Sequence, residues 1–120
     1  MNSHIIVTIL LCTFQCEPAE IRVWDGDSIR LGQSGERIRI FNIDAPEIDG
    51  RCPYETDLAQ QSKNRLAEMM DGQQLIIRRQ GTDRYGRTLA AVSVNGVDAG
   101  DVLVSEGLAR TWSGRREAWC

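Results

Sequence analysis

Three short clusters carry side chains that could act together on a phosphate ester: Asp25-Gly26-Asp27-Ser28, Asp44-Ala45-Pro46-Glu47 and Thr82-Asp83-Arg84-Tyr85-Gly86-Arg87. Each alone has an ordinary explanation, because Asp and Gly suit turns, Asp before Ala-Pro caps a loop, and Arg beside Tyr stacks on a surface. Together they describe a site. Asp27 and Asp44 stand at the ends of strands that a meander brings side by side, so two hard oxygen donors can converge on a cation, with backbone carbonyls and water completing its shell. Calcium is the first choice, and ligand type leaves magnesium and manganese open. Glu47, three residues beyond Asp44 across a proline, is placed to take a proton from attacking water. Arg39, five residues before Asp44, and Arg87, at the start of a neighbouring strand, are placed to neutralise charge on phosphorus. An arginine among isoleucines needs a carboxylate or a phosphate to meet it, so ion pairing of Arg39 to Asp44 or Glu47 is the purely structural alternative.

The elements that must position these groups follow from periodicity. Alternation over Glu20–Trp24, Ser28–Leu31 and Arg37–Ile43 predicts three strands in a meander, broken by Asp25-Gly26-Asp27 and by Gly32–Gly35. After Pro46 and Pro53 frame a polar loop, Leu58, Ser62, Leu66, Met69 and Met70 recur at helical spacing until Gly72, with the methionines read as core filler. Gln74–Arg79 and Thr88–Val94 predict two more strands, Asn95-Gly96 a tight hairpin, and Ala99–Glu106 a short second helix. The expected fold is mainly β, a five-stranded Greek-key barrel of the OB type capped by an α-helix.

Composition narrows the chemistry. The 120 residues suit one domain, and their 42% hydrophobic content supplies a core. The only histidine is His4 and the only lysine is Lys63, against thirteen arginines. Histidine bases, histidine-held metals and lysine nucleophiles are therefore disfavoured, and carboxylates and arginines must carry any reaction. The net charge of -3 argues against indiscriminate binding to nucleic acid or an anionic membrane. It hides an asymmetry, since residues 1–77 carry seven basic and twelve acidic side chains whereas residues 78–120 carry seven and five.

Residues 1–19 read as a signal peptide or N-terminal extension and residues 20–120 as the domain. Ile5–Leu11 is apolar enough for a signal core but has no preceding Lys or Arg and no small-residue cleavage site, and a buried first strand is the competing reading. Four cysteines in so short a chain favour an oxidising compartment, hence a secreted or periplasmic protein. Cys52 with Cys120 is the preferred pair, two buried thiols the alternative. A monomer with no stable membrane association is expected.

With Ile38-Arg39, Val102-Leu103-Val104 and Gly107-Leu108-Ala109 added in their order, the three clusters resemble the staphylococcal nuclease (thermonuclease) family over roughly residues 20–112. The resemblance implies an OB-type barrel and a calcium-dependent nuclease that hydrolyses DNA and RNA, leaving 3'-phosphate and 5'-hydroxyl ends. It implies Asp27, Asp44 and the backbone carbonyl of Ala45 as calcium ligands, with Asp25 beside them. It implies Glu47 as general base, Arg39 and Arg87 as the phosphate-stabilising pair, and Tyr85 with Arg84 as substrate-binding residues. Two departures stand out. The staphylococcal enzyme is strongly basic, so affinity of this acidic chain for long polymers should be weaker. The family's base-binding tyrosines give way to Arg110-Thr111-Trp112-Ser113-Gly114, where Trp112 either stacks on a base or covers the core. A noncatalytic OB-fold module that binds nucleic acid or protein is the rival reading, and it would have no use for Glu47.

Overall fold

Residues whose side chains alternate between core and surface build most of the molecule, which a computed structural model describes over residues 3–120; residues 1 and 2 of the leader reading lie outside it. Strands β1 (Ile5–Cys12), β2 (Cys16–Asp25), β3 (Ser28–Leu31), β4 (Arg37–Ile40) and β5 (Ile43–Asp44) precede helix α1 (Pro53–Met70). Then follow β6 (Gln74–Thr82), β7 (Thr88–Val94), β8 (Val97–Asp98), α2 (Ala99–Ser105) and β9 (Arg110–Thr111). Ile21, Val23, Ile29, Leu31, Ile38 and Ile40 point inwards and are buried, while the residues between them face out.

The strands run in the order β4-β3-β2-β1-β6-β7, and parallel pairing of β4 with β7 closes them into a barrel. Closure leaves no barrel edge and brings Arg39 opposite Leu89. This is the mostly β, OB-type barrel that the sequence predicts, with six strands where five were expected. The sixth is β1. Ile5–Cys12 pairs with β2 along its whole length and with β6 through Leu10 and Leu11, and it sends Val7 and Ile9 into the core. The apolar run hides that alternation, because Ile6 on the outer face is apolar too and is 51% exposed. Cys12 and Cys16 form a disulfide across the hairpin between β1 and β2.

Helix α1 starts with Pro53, whose missing N–H costs nothing at a first helical position, and lays Ala59, Ser62, Leu66 and Met70 against the barrel. Met70 is fully buried and Met69 packs at the core's edge, as filler residues should. Asn95 and Gly96 have φ of 51° and 84°, the left-handed pair that a two-residue hairpin between β7 and β8 requires. Among the described residues no helix is long and apolar enough to cross a membrane.

Glu36, just before β4, clasps the closure from outside. Its carboxylate takes two hydrogen bonds from Arg79 of β6, at 2.9 and 2.6 Å, and one from Thr88 of β7 at 2.7 Å. The Arg79 hydrogen bonds outweigh burial and hold the Glu36 carboxyl below the usual carboxylate range. A depressed carboxyl stabilises the fold above its unfolded pKa, and that contribution fades as pH falls through the folded value. Glu36→Gln should therefore lower stability by about 1–2 kcal/mol near neutral pH, screening by solvent included. Urea unfolding at several pH values should show the gap to the native chain closing as pH drops below about 4.

Candidate active site

The turn from β2 to β3 carries the first carboxylates. Asp25 Oδ1 accepts the Asp27 N–H at 3.2 Å, which folds the turn on itself. Gly26 sits where α1 comes closest: a Cβ there would collide with Ser62 Oγ and stand 3.0 Å from the Ala45 side chain. The turn can reach the helix only without that atom. Asp27 is thereby buried, and its Oδ2 accepts the Ala45 N–H at 2.9 Å, tying the first cluster to the second.

Arg39 completes the link. Its guanidinium stands 3.8 Å from Asp27 Oδ2 and donates to the carbonyls of Ile40 and Ile43 at 3.1 Å each. The other face of the guanidinium lies 5.0 Å above the Trp112 ring. Arg39 thus meets Asp27 rather than Asp44 or Glu47, and Trp112 is 38% exposed beneath it instead of lying within the core. Asp44, on β5, is almost wholly buried opposite Arg110 of β9, and the Trp119 indole N–H faces it without reaching hydrogen-bond geometry.

These carboxyls stand in each other's fields. Burial raises the Asp27 pKa to about 7, the Asp25 charge and hydrogen bond adding to the rise and the Ala45 N–H and Arg39 opposing it. Burial likewise raises Asp44, against Arg116 and Arg39 and with help from Asp27. Glu47, half-exposed, is also raised by desolvation, against Arg116 and with help from Asp27, Glu55 and Asp44. The end of the barrel therefore holds more negative charge than its arginines offset. Among the described residues no three His, Cys, Asp or Glu side chains converge as a metal-binding group. The two buried carboxylates, Asp27 and Asp44, are hard oxygen donors of the type that divalent cations such as calcium take.

The loop from Thr82 to Arg87 forms a second cluster. Asp83 Oδ1 accepts the N–H groups of Tyr85 and Arg87, and its Oδ2 takes the Arg87 Nε at 2.8 Å. Burial alone would raise the Asp83 carboxyl, but these hydrogen bonds hold it below its usual range. Tyr85 is exposed, with Arg84 at 5.1 Å and Arg87 at 6.0 Å from its ring. Arg87 therefore rests on Asp83 and not among the carboxylates of the first cluster. Ser28 links the two, donating to Asp27 Oδ1 at 3.3 Å and lining a cleft with Arg87.

Two residues that sequence reasoning passed over hold the first cluster together. Glu55, in the first turn of α1, accepts the backbone N–H of Glu47 at 3.0 Å and of Arg51 at 3.1 Å, so it shapes the loop that presents Glu47. A carboxylate three residues after a helix cap is the signal that marks such a reach-back. Arg116 lies 2.9 Å from Glu47 Oε1, 3.3 Å from Asp44 Oδ1 and 3.7 Å from Glu55 Oε2. The Cys52–Cys120 disulfide anchors the tail that carries it, and Arg110 stacks on Trp119 at 3.7 Å and bonds the Ala118 carbonyl. With Cys120 paired to Cys52, an arginine four residues earlier is brought beside the acidic loop.

The geometry meets known proteins at this point. A sequence model of the family described as "Staphylococcal nuclease homologue" matches residues 37–118. The chain belongs to this family. Proteins that it resembles include an "Uncharacterized endonuclease" of Haemophilus influenzae, 28% identical over 91% of this chain and 65% of the relative. A "Thermonuclease" of Staphylococcus hyicus is 34% identical over 75% of this chain and 56% of its own length. "Endonuclease YncB" of Bacillus subtilis is 33% identical over 74% and 44%. The chain thus spans less than two thirds of the length of each relative.

The tail's grip on this family member can be measured. Cys52→Ser/Cys120→Ser should lower unfolding free energy by about 2–4 kcal/mol, because the bridge closes most of the domain into one loop. Arg116→Ala should destabilise the native chain and have a smaller effect in the double-serine background, a coupling that a double-mutant cycle in urea reads directly.

Proposed function

We propose that this chain is a nuclease that hydrolyses phosphodiesters of DNA and RNA with calcium, leaving 3'-phosphate and 5'-hydroxyl ends. The observation that carries the reading is the convergence of Asp27, Arg39, Asp44 and Glu47 at one end of a closed barrel, in a chain of the staphylococcal nuclease family. Membership supports a hydrolase acting on nucleic acid, and the all-oxygen donor set supports calcium.

Asp27, Asp44 and the Ala45 carbonyl would hold the cation. When bound, a divalent cation supplies positive charge to the phosphate and makes nearby water more acidic. Glu47, half-exposed and held from behind by Glu55 through its backbone, accepts the proton of the attacking water. Arg39, fixed by two backbone carbonyls, offers the phosphate a guanidinium that needs no reorganisation. Arg87, held by Asp83 in the neighbouring loop, exchanges Asp83 for a phosphate oxygen as charge develops, while Arg84 and Tyr85 on the exposed loop hold the adjoining nucleotide.

Export to the periplasm or beyond goes with this proposal and rests on the two disulfides, since cleavage after Leu11 would remove a barrel strand. Recovery of the protein with an oxidised Cys52–Cys120 pair from outside the cytoplasm is the expected result; a wholly cytoplasmic, reduced chain would contradict it.

Digestion of single- and double-stranded DNA and RNA with calcium, magnesium or chelator, beside Glu47→Gln, tests the reaction. Cleavage should require calcium, and the variant should lose it while still folding and binding nucleotide. Binding without cleavage under every metal condition would make the protein a noncatalytic OB-fold module instead. Arg87→Ala should lower kcat by on the order of 10²–10³ with little change in fold; an effect confined to KM would deny it a transition-state role.

A further inference from the structure

The outer face of β2, β3 and β4 carries a transverse row of arginines. Arg22 pairs directly opposite Arg30, and Arg30 directly opposite Arg37, across three adjacent strands. Like charges set opposite each other in an antiparallel ladder repel, and nothing in the barrel requires arginine at these outward positions. The inward residues between them, Val23, Ile29 and Ile38, meet the demands of packing by themselves.

Local counter-charge is sparse. Glu20 stands 3.8 Å from Arg22, but Glu36 is committed to Arg79 and Asp83 to Arg87. Among the described residues neither Arg30 nor Arg37 has a carboxylate within ion-pair distance, and Arg37 donates only to the Tyr85 carbonyl. The Nε atoms of Arg22 and Arg30 are shielded from solvent and have no hydrogen-bond partner in the described structure. Arg30 and Arg37 line a cleft of about 240 Å³ with Trp24, Ser28 and Arg87, so the row opens onto the proposed catalytic arginine and, through Ser28, onto Asp27.

We propose that Arg22, Arg30 and Arg37 form a phosphate-binding track that leads a single strand of nucleic acid into the Arg87 end of the site. The proposal rests on the nuclease reading and extends it. Three strands set the row about 10 Å long, enough to meet more than one phosphate of an extended chain. Trp24, with the His4 ring tilted against it at 4.6 Å between centroids, lines the same cleft and gives an unstacked base an aromatic neighbour. The ligand fills the place that missing carboxylates leave open and relieves the repulsion along the row.

The test is Arg22→Gln/Arg30→Gln in the full-length oxidised protein. Anisotropy of a labelled 20-nucleotide single strand, measured in chelator over a range of salt, should show weaker binding and a salt slope shallower by roughly 1.4, two phosphate contacts at about 0.7 each. The melting temperature should hold or rise, because the change removes like-charge repulsion. Turnover of a dinucleotide substrate, too short to reach the track, should match the native chain. An unchanged salt slope would overturn the track, as would an equal loss on the dinucleotide or native affinity that favours duplex over single strand. Failure of the nuclease reading itself looks different: no cleavage of any substrate by the native chain, with the binding experiment still read independently.

Discussion

Carboxylates removed from water need a cation, a proton or hydrogen-bond donors, and the end of this barrel is organised around that need. Asp27 and Asp44 are both nearly sealed; burial and then Asp25 raise the affinity of Asp27 for a proton, and burial and then Asp27 raise that of Asp44. The protein answers with three kinds of partner. Backbone N–H groups serve Asp27 from Ala45, Arg39 reaches Asp27 from the barrel wall, and Arg116 covers Asp44 and Glu47 from the tail. Burial still raises Asp27 and Asp44 against these partners, so the arginines do not fully offset the charge gathered there.

That need explains why elements far apart in the chain have to be so exact in their placement. Arg39 can face Asp27 only because β3 and β4 pair in a register that sets Ser28 opposite Arg39, and β4 keeps its position because β7 closes the barrel beside it. The Glu36 clasp to Arg79 and Thr88 secures the same closure from outside. Helix α1 supports the turn through the Gly26 contact and the loop through Glu55. The disulfide then brings the tail across, so that a guanidinium arrives at the acidic loop without a strand or helix of its own.

Much of this was legible in the chain. Period-two alternation marked β2, β3, β4, β6 and β7, and Asn95-Gly96 marked the hairpin, because one-sided burial and left-handed backbone leave local traces. Asp27, Asp44, Arg39 and Glu47 were legible for a related reason: polar residues at strand ends and inside apolar strands are costly unless they meet. What failed to show has a physical cause in each case. The strand at Ile5–Cys12 is apolar on both faces, so its period is masked and it reads equally as a leader. Arg116 lies in a tail without periodicity, and its role follows only from a crosslink whose partner spacing cannot decide. Arg87 lies immediately before β7, but its tether to Asp83 depends on the curl of the 82–87 loop, which a motif does not specify.

The acidic net charge led to an expectation of weak attraction for long polymers, and it is an average over surfaces that do different things. Most of the negative excess in residues 1–77 is gathered at the barrel's end and in the loop and helix beside it, where Asp25, Asp27, Asp44, Glu47, Asp49 and Glu55 belong. A polyanion approaching that end would be repelled. The outer face of β2, β3 and β4 presents the opposite sign, and over distances longer than about 8–10 Å each face is screened from the other by salt. A chain with a net charge of -3 can therefore present a row of arginines on one face and a cluster of carboxylates at the barrel's end. Net charge measures neither; the sign and spacing of the side chains along the route to the site do.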